Sequence, residues 1–381
     1  MGGKAPAGYG LVVRHGLNKD SDMDYAVIMA GGTGKRLWPL SRQLRPKQVL
    51  KLLDGQTLLR RCFDRLRPIC EDRNILVLTN AGYADLVREN LPELPYGNVI
   101  AEPAVRDTAG AIGLAATVLS KYDPNATMAV VTADQIIEPD DVFQTAMKSA
   151  VAFINANPDA MVTFGIKPTF PSTQLGYIQL APTPERDNEL SPVRSFREKP
   201  DEKAAAGYVE SGDYCWNSGM FVWKARTVLE ALTSRLAAAA EPLRRIQAAW
   251  DGPLQDEVLK EWFPKLPKIS IDYAVMETAQ RVFAIRLDCR WLDMGSFAAL
   301  ADIIESDAED NIVVAGHSEL MDSNNNIIVT EDTGHLIAVI GLKNMVVAHS
   351  RDATLVCPIG ETHRLKDLLA QIKAHKGEQF L

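Results

Sequence analysis

Five apolar runs punctuate the first half of the chain: "YAVIMA" (25–30), "NILVLT" (74–79), "NVIAE" (98–102), "TMAVVTAD" (127–134) and "AMVTFGI" (160–166). Each is continuous, the pattern of a strand buried on both faces of a parallel sheet. Stretches of helical character separate them, such as "TLLRRCFDRLRPI" (57–69) and "TAGAIGLAATVLSKY" (108–122). Strand, helix, strand, helix at this spacing predicts an α/β fold: a mainly parallel sheet flanked by helices, with ligands at the carboxyl ends of the strands. The glycines after the first run and the "AD" closing the fourth fall at that edge.

Beyond residue 166 the pattern loosens into "LGYIQL" (175–180), "VRSFREKP" (193–200) and "WNSGMFVWK" (216–224), read as strands and loops of an insertion over that edge. An Ala-rich helical run follows over 225–250. "VFAIRLDCRW" (282–291) and the turn "LDMGSF" (292–297) then close the large domain. The remainder offers short strands at close intervals with Asn and Gly turns, "NIVVAG", "NNNIIVT", "LIAVIGL" and "NMVVAHS", before a terminal helix "GETHRLKDLLAQIKAH". The expected division is a flexible extension over 1–22, a large domain over 23–304 and a small β-rich domain over 305–381. Its terse strands also fit turns of a truncated β-solenoid.

Charge sharpens this picture. The chain carries a formal net charge of -8, against non-specific nucleic-acid binding through a broad basic face. Yet residues 25–53 hold six Lys or Arg and no Asp or Glu, so an anionic partner is met locally. Five cysteines, odd in number and without a CxxC, fit reduced thiols in a cytoplasm. The leader's "LVV" is too short for a signal-peptide core, and no long uncharged apolar stretch predicts a membrane span.

A glycine loop directly after a buried strand lets backbone N–H groups approach phosphate oxygens. Gly31, Gly32 and Gly34 would provide that approach, Arg36 a fork-shaped phosphate contact and Lys47 a point charge. Arg36 and Lys47 are both expected in a polar loop outside the core. The dinucleotide pattern G-x-G-x-x-G fails at Thr33. The P-loop fails at Arg36, after Gly34 and Lys35, and at Met29 where its first glycine belongs.

"AGGTGKRLWPLSRQLRPKQ" resembles the G-G-x-G-x-R-L-x-P-L…P-K signature of sugar-nucleotide pyrophosphorylases. With Trp38, "LSR" and "PKQ" it is similar to the mannose-1-phosphate guanylyltransferases among them. The likeness continues in order through "EPAVRDTAGAI" (102–112), "TAD" (132–134), "LGYIQ" (175–179), "FREKP" (196–200), "WNSGMFVW" (216–223), "SIDYAVME" (270–277) and "WLDMGSF" (291–297). The resemblance implies the Rossmann-like nucleotide-diphospho-sugar transferase fold. It also implies attack of the mannose 1-phosphate oxygen on the α-phosphorus of GTP, giving GDP-mannose and pyrophosphate. The substrate is itself the nucleophile, so alignment and charge stabilisation suffice.

By that resemblance, Asp134 and Asp293 hold Mg²⁺ (or Mn²⁺), and Arg36, Lys47 and Lys199 are catalytic. Ala30, Gly31, Gly32, Gly34, Arg36, Arg106, Thr108, Ala109 and Asp134 meet the nucleotide. Gly176, Tyr177, Glu198, Lys199, Asn217 and Asp272 meet the sugar phosphate. From the residues alone, Asp107 or Thr108 reads as a helix N-cap, and Ser270 as another with Asp272 in its first turn. The proline after Lys199 predicts an extended backbone there. Gln135 stands where many relatives have His, Asp107 where Asn is commoner, and Gly110 where Pro or Ala is.

The resemblance also implies a homodimer, without nucleic-acid or membrane partners. Two other readings stand beside it: another pair such as dTTP or UTP with glucose 1-phosphate, or a catalytically silent sugar-nucleotide sensor. The late histidines His317, His335, His349 and His363 are scattered without an HxH ligand pair, so the isomerase activity of bifunctional relatives is not expected.

Overall fold

The computed structural model describes residues 23–32, 34–52, 55–181 and 190–381; the extension expected at 1–22 lies outside them. By contacts the chain divides into two units. One holds the described residues up to Gly31 with Phe63–Thr132 and Ile137–Arg290; the other holds Gly32–Cys62, Ala133–Ile136 and Trp291–Leu381. The sequence expectation put one boundary at 304/305, whereas the contacts group the basic segment after the first strand with the C-terminal residues.

The first unit is built on nine strands of one sheet, β1 (Tyr25–Met29), β2 (Ile75–Asn80), β3 (Val99–Glu102), β4 (Thr127–Thr132), β6 (Met161–Ile166), β7 (Tyr177–Leu180), β8 (Leu190–Arg197), β9 (Tyr214–Lys224) and β10 (Val282–Leu287). The short strands β5 (Gln135–Glu138) and β11 (Arg290–Asp293) stand outside this sheet. The spatial order of the nine is β3-β2-β1-β4-β9-β6-β10-β8-β7. The ladders β3–β2, β2–β1, β1–β4 and β6–β10 are parallel; β9 runs antiparallel to β4, β6 and β7, and β8 to β10 and β7. All strands of the sheet but β8 and β9 therefore share one direction, the mainly parallel arrangement that the continuous apolar runs predict. Val27 and Ile28 on β1 are fully buried, worth about 1.5–3 kcal/mol each.

Helix Asp107–Tyr122 is buried along most of its length, from Ala109 to Leu119. Small residues allow this: a Cβ on Gly113 would lie 2.8 Å from Leu232 Cδ2 of helix Ala225–Arg235. Helix packing that close excludes larger side chains.

In the second unit, β12 (Ile312–Val314), β14 (Ile327–Thr330) and β16 (Met345–Ser350) stack parallel, and β17 (Ala353–Pro358) closes the stack antiparallel; β13 (His317–Met321) pairs parallel with β15 (Leu336–Ile340). Ile312, Ile327 and Val346 thus stand one above another, as do His317 and Leu336, which is solenoid geometry. Buried asparagines lace the turns: Asn326 Nδ2 donates to Asn311 Oδ1 at 2.9 Å and to Leu342 O at 2.8 Å. Here lies the reason the basic segment joins this unit. Its apolar residues Leu37, Trp38, Leu40, Leu50 and Leu52 share one buried cluster with Phe297, Ile312, Ile327, Val346 and Leu365. Polar ties add to it: Trp38 Nε1 donates to Phe380 O at 2.6 Å, Arg42 donates to Ser350 Oγ at 2.7 Å, and Lys51 N–H donates to Glu331 Oε1 at 2.8 Å. Arg45 pairs with the same Glu331.

Candidate active site

In the second unit, the turn Lys35–Leu37 starts from Gly34, whose φ of +64° is a left-handed conformation that disfavours a side chain. Space demands glycine as well, since a Cβ there would stand 2.6 Å from Lys47 Cβ. Two hydrogen bonds fix the loop: Ser41 Oγ donates to Gly34 O at 2.6 Å and Leu37 N–H to the same oxygen at 2.9 Å. Gly32 is exposed, with nothing within 4 Å of a Cβ position, so its backbone is open to a ligand.

Lys47 is 7% exposed and lies 2.6 Å from Asp134 Oδ2 and 3.4 Å from Asp293 Oδ1. This corrects the expectation that it sits in a polar loop outside the core; Arg36 is exposed, as expected. Burial alone would lower the Lys47 pKa, but the two carboxylates outweigh it and the ammonium is held above its ordinary value. Asp293, about a third accessible, is pushed up by burial and by the charge of Asp134, against the pull of Lys47 and Arg36. Arg36 reaches the same place: a Cβ on Gly295 would lie 3.2 Å from its guanidinium and 3.3 Å from Asp293 Oδ2.

Two links hold the carboxylates together. Met294 N–H donates to Asp134 O at 3.1 Å, and Trp291 Nε1 donates to Gln135 Oε1 at 3.1 Å. Gln135, the departure noted above, thus supports the strand that carries Asp293.

In the first unit, Ala30 is buried and spends its backbone in the sheet: its N–H donates to Leu78 O at 2.8 Å and its carbonyl accepts from Thr79 Oγ1 at 2.8 Å. These bonds anchor the start of the loop in the sheet. Next to it, the Cβ position of Gly31 is 3.7 Å from Glu102 Oε2. Glu102 is 8% exposed at the carboxyl end of β3, and burial pushes its carboxyl up to about 7.

The expected nucleotide contacts Arg106, Thr108 and Ala109 are otherwise engaged. Arg106 Nε donates to Pro264 O at 2.7 Å, Thr108 Oγ1 accepts from Ile271 N–H at 2.8 Å, and Ala109 N–H donates to Ile269 O at 3.2 Å. They dock the start of helix Asp107–Tyr122 on the segment that leads to Asp272. Neither Asp107 nor Thr108 is its N-cap, since the helix begins at Asp107 with Arg106 in that place, and Asp107 has φ +60°. Ser270 does cap the short helix Ile271–Ala274, accepting from Tyr273 N–H at 3.4 Å.

Around that second cap the sugar-side candidates converge. A bulge in β9, where its register with β6 shifts between Thr163 and Gly165, re-aims Asn217. Asn217 Nδ2 donates to Asp272 Oδ1 at 3.0 Å, its Oδ1 accepts from Thr163 Oγ1 at 2.8 Å, and its N–H donates to Gly176 O at 2.8 Å. A Cβ on Gly176 would lie 2.5 Å from Glu198 Oε2, so glycine makes room for that carboxylate. The backbone at Lys199 is left-handed, with φ +44°, and not extended as the proline rule predicts. That turn brings Lys199 Nζ to 2.7 Å from Glu198 Oε1. Glu198 itself is well covered, while Lys199 is half exposed. Burial, and then Glu198, push Asp272 up to about 7. Tyr177, expected on the sugar side, is fully buried, its hydroxyl accepting from Ser172 N–H at 2.9 Å.

Sequence reasoning left two carboxylates unassigned. Glu277 accepts from Glu198 N–H at 3.0 Å and so steadies the sugar-side cluster. Both Glu277 and Glu102 lie inside motifs read for other residues; an acidic side chain at the end of an apolar strand was the available signal for Glu102.

Comparisons with known proteins give the family. Residues 25–310 match the nucleotidyl transferase family, and residues 316–372 match the mannose-phosphate isomerase/GMP-like β-helix domain. The chain is 36% identical to mannose-1-phosphate guanylyltransferase of Escherichia coli K12, over 92% of this chain and 73% of that one. It is 37% identical to mannose-1-phosphate guanylyltransferase ManC of Salmonella typhimurium, over 92% and 73%. The crystal structure of mannose-1-phosphate geranyltransferase from Thermus thermophilus superposes with TM-score 0.81 at 31% identity, covering 92% of this chain and 99% of that one. The protein belongs to the nucleotidyl transferase family, carrying its α/β fold followed by a β-helix domain.

Proposed function

We propose that this chain transfers the guanylyl group of GTP to mannose 1-phosphate, forming GDP-mannose and releasing pyrophosphate. The observation that carries the reading is Lys47 held against Asp134 and Asp293, beside Arg36 and just after an open glycine loop, in a chain similar to guanylyltransferases. A phosphate oxygen of the sugar attacks the α-phosphorus, a new P–O bond forms, and the bond to the β-phosphate oxygen breaks. No protein nucleophile takes part. Lys47 and Arg36 offset the charge that builds on the triphosphate, and the Gly32 backbone admits its oxygens. The oxygen-only pair Asp134 and Asp293 suits a hard divalent cation, Mg²⁺ or Mn²⁺, which when bound would neutralise phosphate charge.

Lys199 is assigned to the sugar phosphate, and Glu198, Asn217 and Asp272 to the sugar hydroxyls. Their mutual hydrogen bonds preset each orientation. Glu102 is assigned to the base. One carboxylate accepts two parallel hydrogen bonds, which suits the adjacent N1–H and N2–H donors of guanine and not the edge of adenine. Ionising Glu102 without such donors is costly, consistent with its raised pKa. A homodimer and a cytoplasmic location belong to the same reading. No helix among the described residues is long and apolar enough to cross a membrane.

The test is pyrophosphate release with Mg²⁺ across GTP, ATP, UTP and dTTP against mannose 1-phosphate and glucose 1-phosphate. Release confined to GTP with mannose 1-phosphate supports the reading. Release in another combination replaces the substrates, and silence from folded protein overturns the activity.

A further inference from the structure

The solenoid brings together two of the late histidines that the sequence scatters. Asp332, His335 and His349 offer one carboxylate oxygen and two imidazole nitrogens, all within 4.8 Å of one another. Asp332 and His335 lie in the turn from β14 to β15, and His349 lies on β16, in register with Thr330 of β14. The two imidazoles stack, with centroids 3.8 Å apart and planes 12° from parallel.

Two of the three groups have hydrogen-bond partners. Asp332 Oδ1 accepts from Gly334 N–H at 3.0 Å, and Asp332 N–H donates to Thr330 Oγ1 at 3.1 Å. His349 Nδ1 is hydrogen-bonded to Thr354 Oγ1 of the neighbouring β17 at 2.9 Å. With Nδ1–H donating, the lone pair is left on Nε2, the way an outer partner orients a metal-binding imidazole. A tetrahedral ion with bonds of about 2.0–2.2 Å needs its ligand atoms about 3.4 Å apart. Asp332 and His335 are exposed, so rotation of their side chains closes the difference and leaves a fourth position for water.

We propose that Asp332, His335 and His349 form a binding site for a divalent transition-metal ion of the zinc class, separate from the carboxylates Asp134 and Asp293. Two imidazoles and one carboxylate favour borderline ions such as Zn²⁺ or Co²⁺ over Mg²⁺. A bound ion would clip the β14–β15 turn to β16. The same turn carries Glu331, which accepts from Lys51 N–H at 2.8 Å and pairs with Arg45. The clip would therefore stiffen the mount of the segment that carries Lys47.

The test uses the full chain without a polyhistidine tag, stripped by chelator and then held in excess Mg²⁺ to fill the harder oxygen site. Co²⁺ is titrated while visible d–d absorption and bound metal per chain are read. The expected result is one tightly held Co²⁺ per chain, displaced by Zn²⁺, with affinity at least tenfold weaker in His335→Gln and His349→Gln and unchanged in Asp134→Asn. No uptake at equimolar Co²⁺, or uptake that both His variants retain, overturns the site. His335 is exposed, so His335→Gln decides the matter even where His349→Gln fails to fold.

Discussion

A Cβ placed on Gly34 would lie 2.6 Å from the Cβ of Lys47. The contact meets the root of the lysine and not its flexible end, so relief requires that the lysine backbone or the loop move. Gly34→Ala is therefore predicted to act through Lys47. The left-handed φ adds about 1–2 kcal/mol of strain, and a displacement of order 1 Å at a charge-stabilising group costs about 10²-fold in turnover. The check is kcat and KM against melting temperature. Turnover within about threefold of the parent would show that Lys47 does not depend on this contact.

Arg36 and Lys47 predict different profiles, although the sequence puts them in the same kind of loop. Arg36→Ala removes an exposed side chain, so turnover falls by about 10²–10³-fold with stability within about 0.5 kcal/mol. Lys47→Met leaves Asp134 and Asp293 facing each other without their shared cation. Turnover falls as much, and stability falls by about 1–3 kcal/mol, less than for a fully buried pair because the carboxylates are partly accessible. Added Mg²⁺ should recover part of the lost melting temperature in Lys47→Met alone. Equal melting temperatures for the two variants would remove the distinction.

What was legible in the sequence follows from how local each signal is. Continuous apolar runs disclosed β1 to β4, because burial on both faces is written in consecutive residues. The apolar residues Leu37, Trp38 and Leu40 were equally visible, but their partners Ile312 and Val346 are hundreds of positions away. Nothing nearby announced that the glycine segment packs with the solenoid. Distance along the chain likewise hid the burial of Lys47 against Asp134 and Asp293, while His335 and His349, only 14 positions apart, meet because the solenoid stacks β14 and β16 side by side. The partners of Arg106 and Thr108 were illegible for a related reason: a polar side chain at a helix start serves a ligand or a distant backbone equally well. Here the backbone of Pro264 and Ile271 takes both.

Asp272 predicts a pH dependence of stability. Its folded pKa is raised from 3.8 to about 7, mainly by burial. Between those values the folded state holds a proton that the unfolded state has released, so stability falls as pH rises. This contribution is complete below about pH 4 and is lost as pH passes about 7. Asp272→Asn keeps an acceptor for Asn217 Nδ2 but cannot ionise. Its melting temperature should fall less than the parent's between pH 5 and pH 8, with the curves diverging at the alkaline end. Parallel curves would mean that Asp272 ionises freely in the folded chain. Glu102, also raised to about 7, contributes the same trend to both proteins and cancels in the comparison.

Gly176 gives the most selective probe of the sugar-side cluster. Its φ is not left-handed, so alanine there brings no backbone strain, and the clash is with Glu198 Oε2 at 2.5 Å, the free end of a flexible side chain. The carboxylate moves aside cheaply, taking with it the acceptor that faces Lys199 Nζ at 2.7 Å. Gly176→Ala should therefore leave the unfolding free energy within about 1 kcal/mol of the parent while raising KM for mannose 1-phosphate about tenfold. KM for GTP should change by less than about twofold, because nothing assigned to the triphosphate touches Gly176. A change confined to KM for GTP would assign this cluster to the nucleotide instead. Glu198→Ala then serves as the control: if the clash works only by displacing Glu198, adding Gly176→Ala to it should raise KM no further.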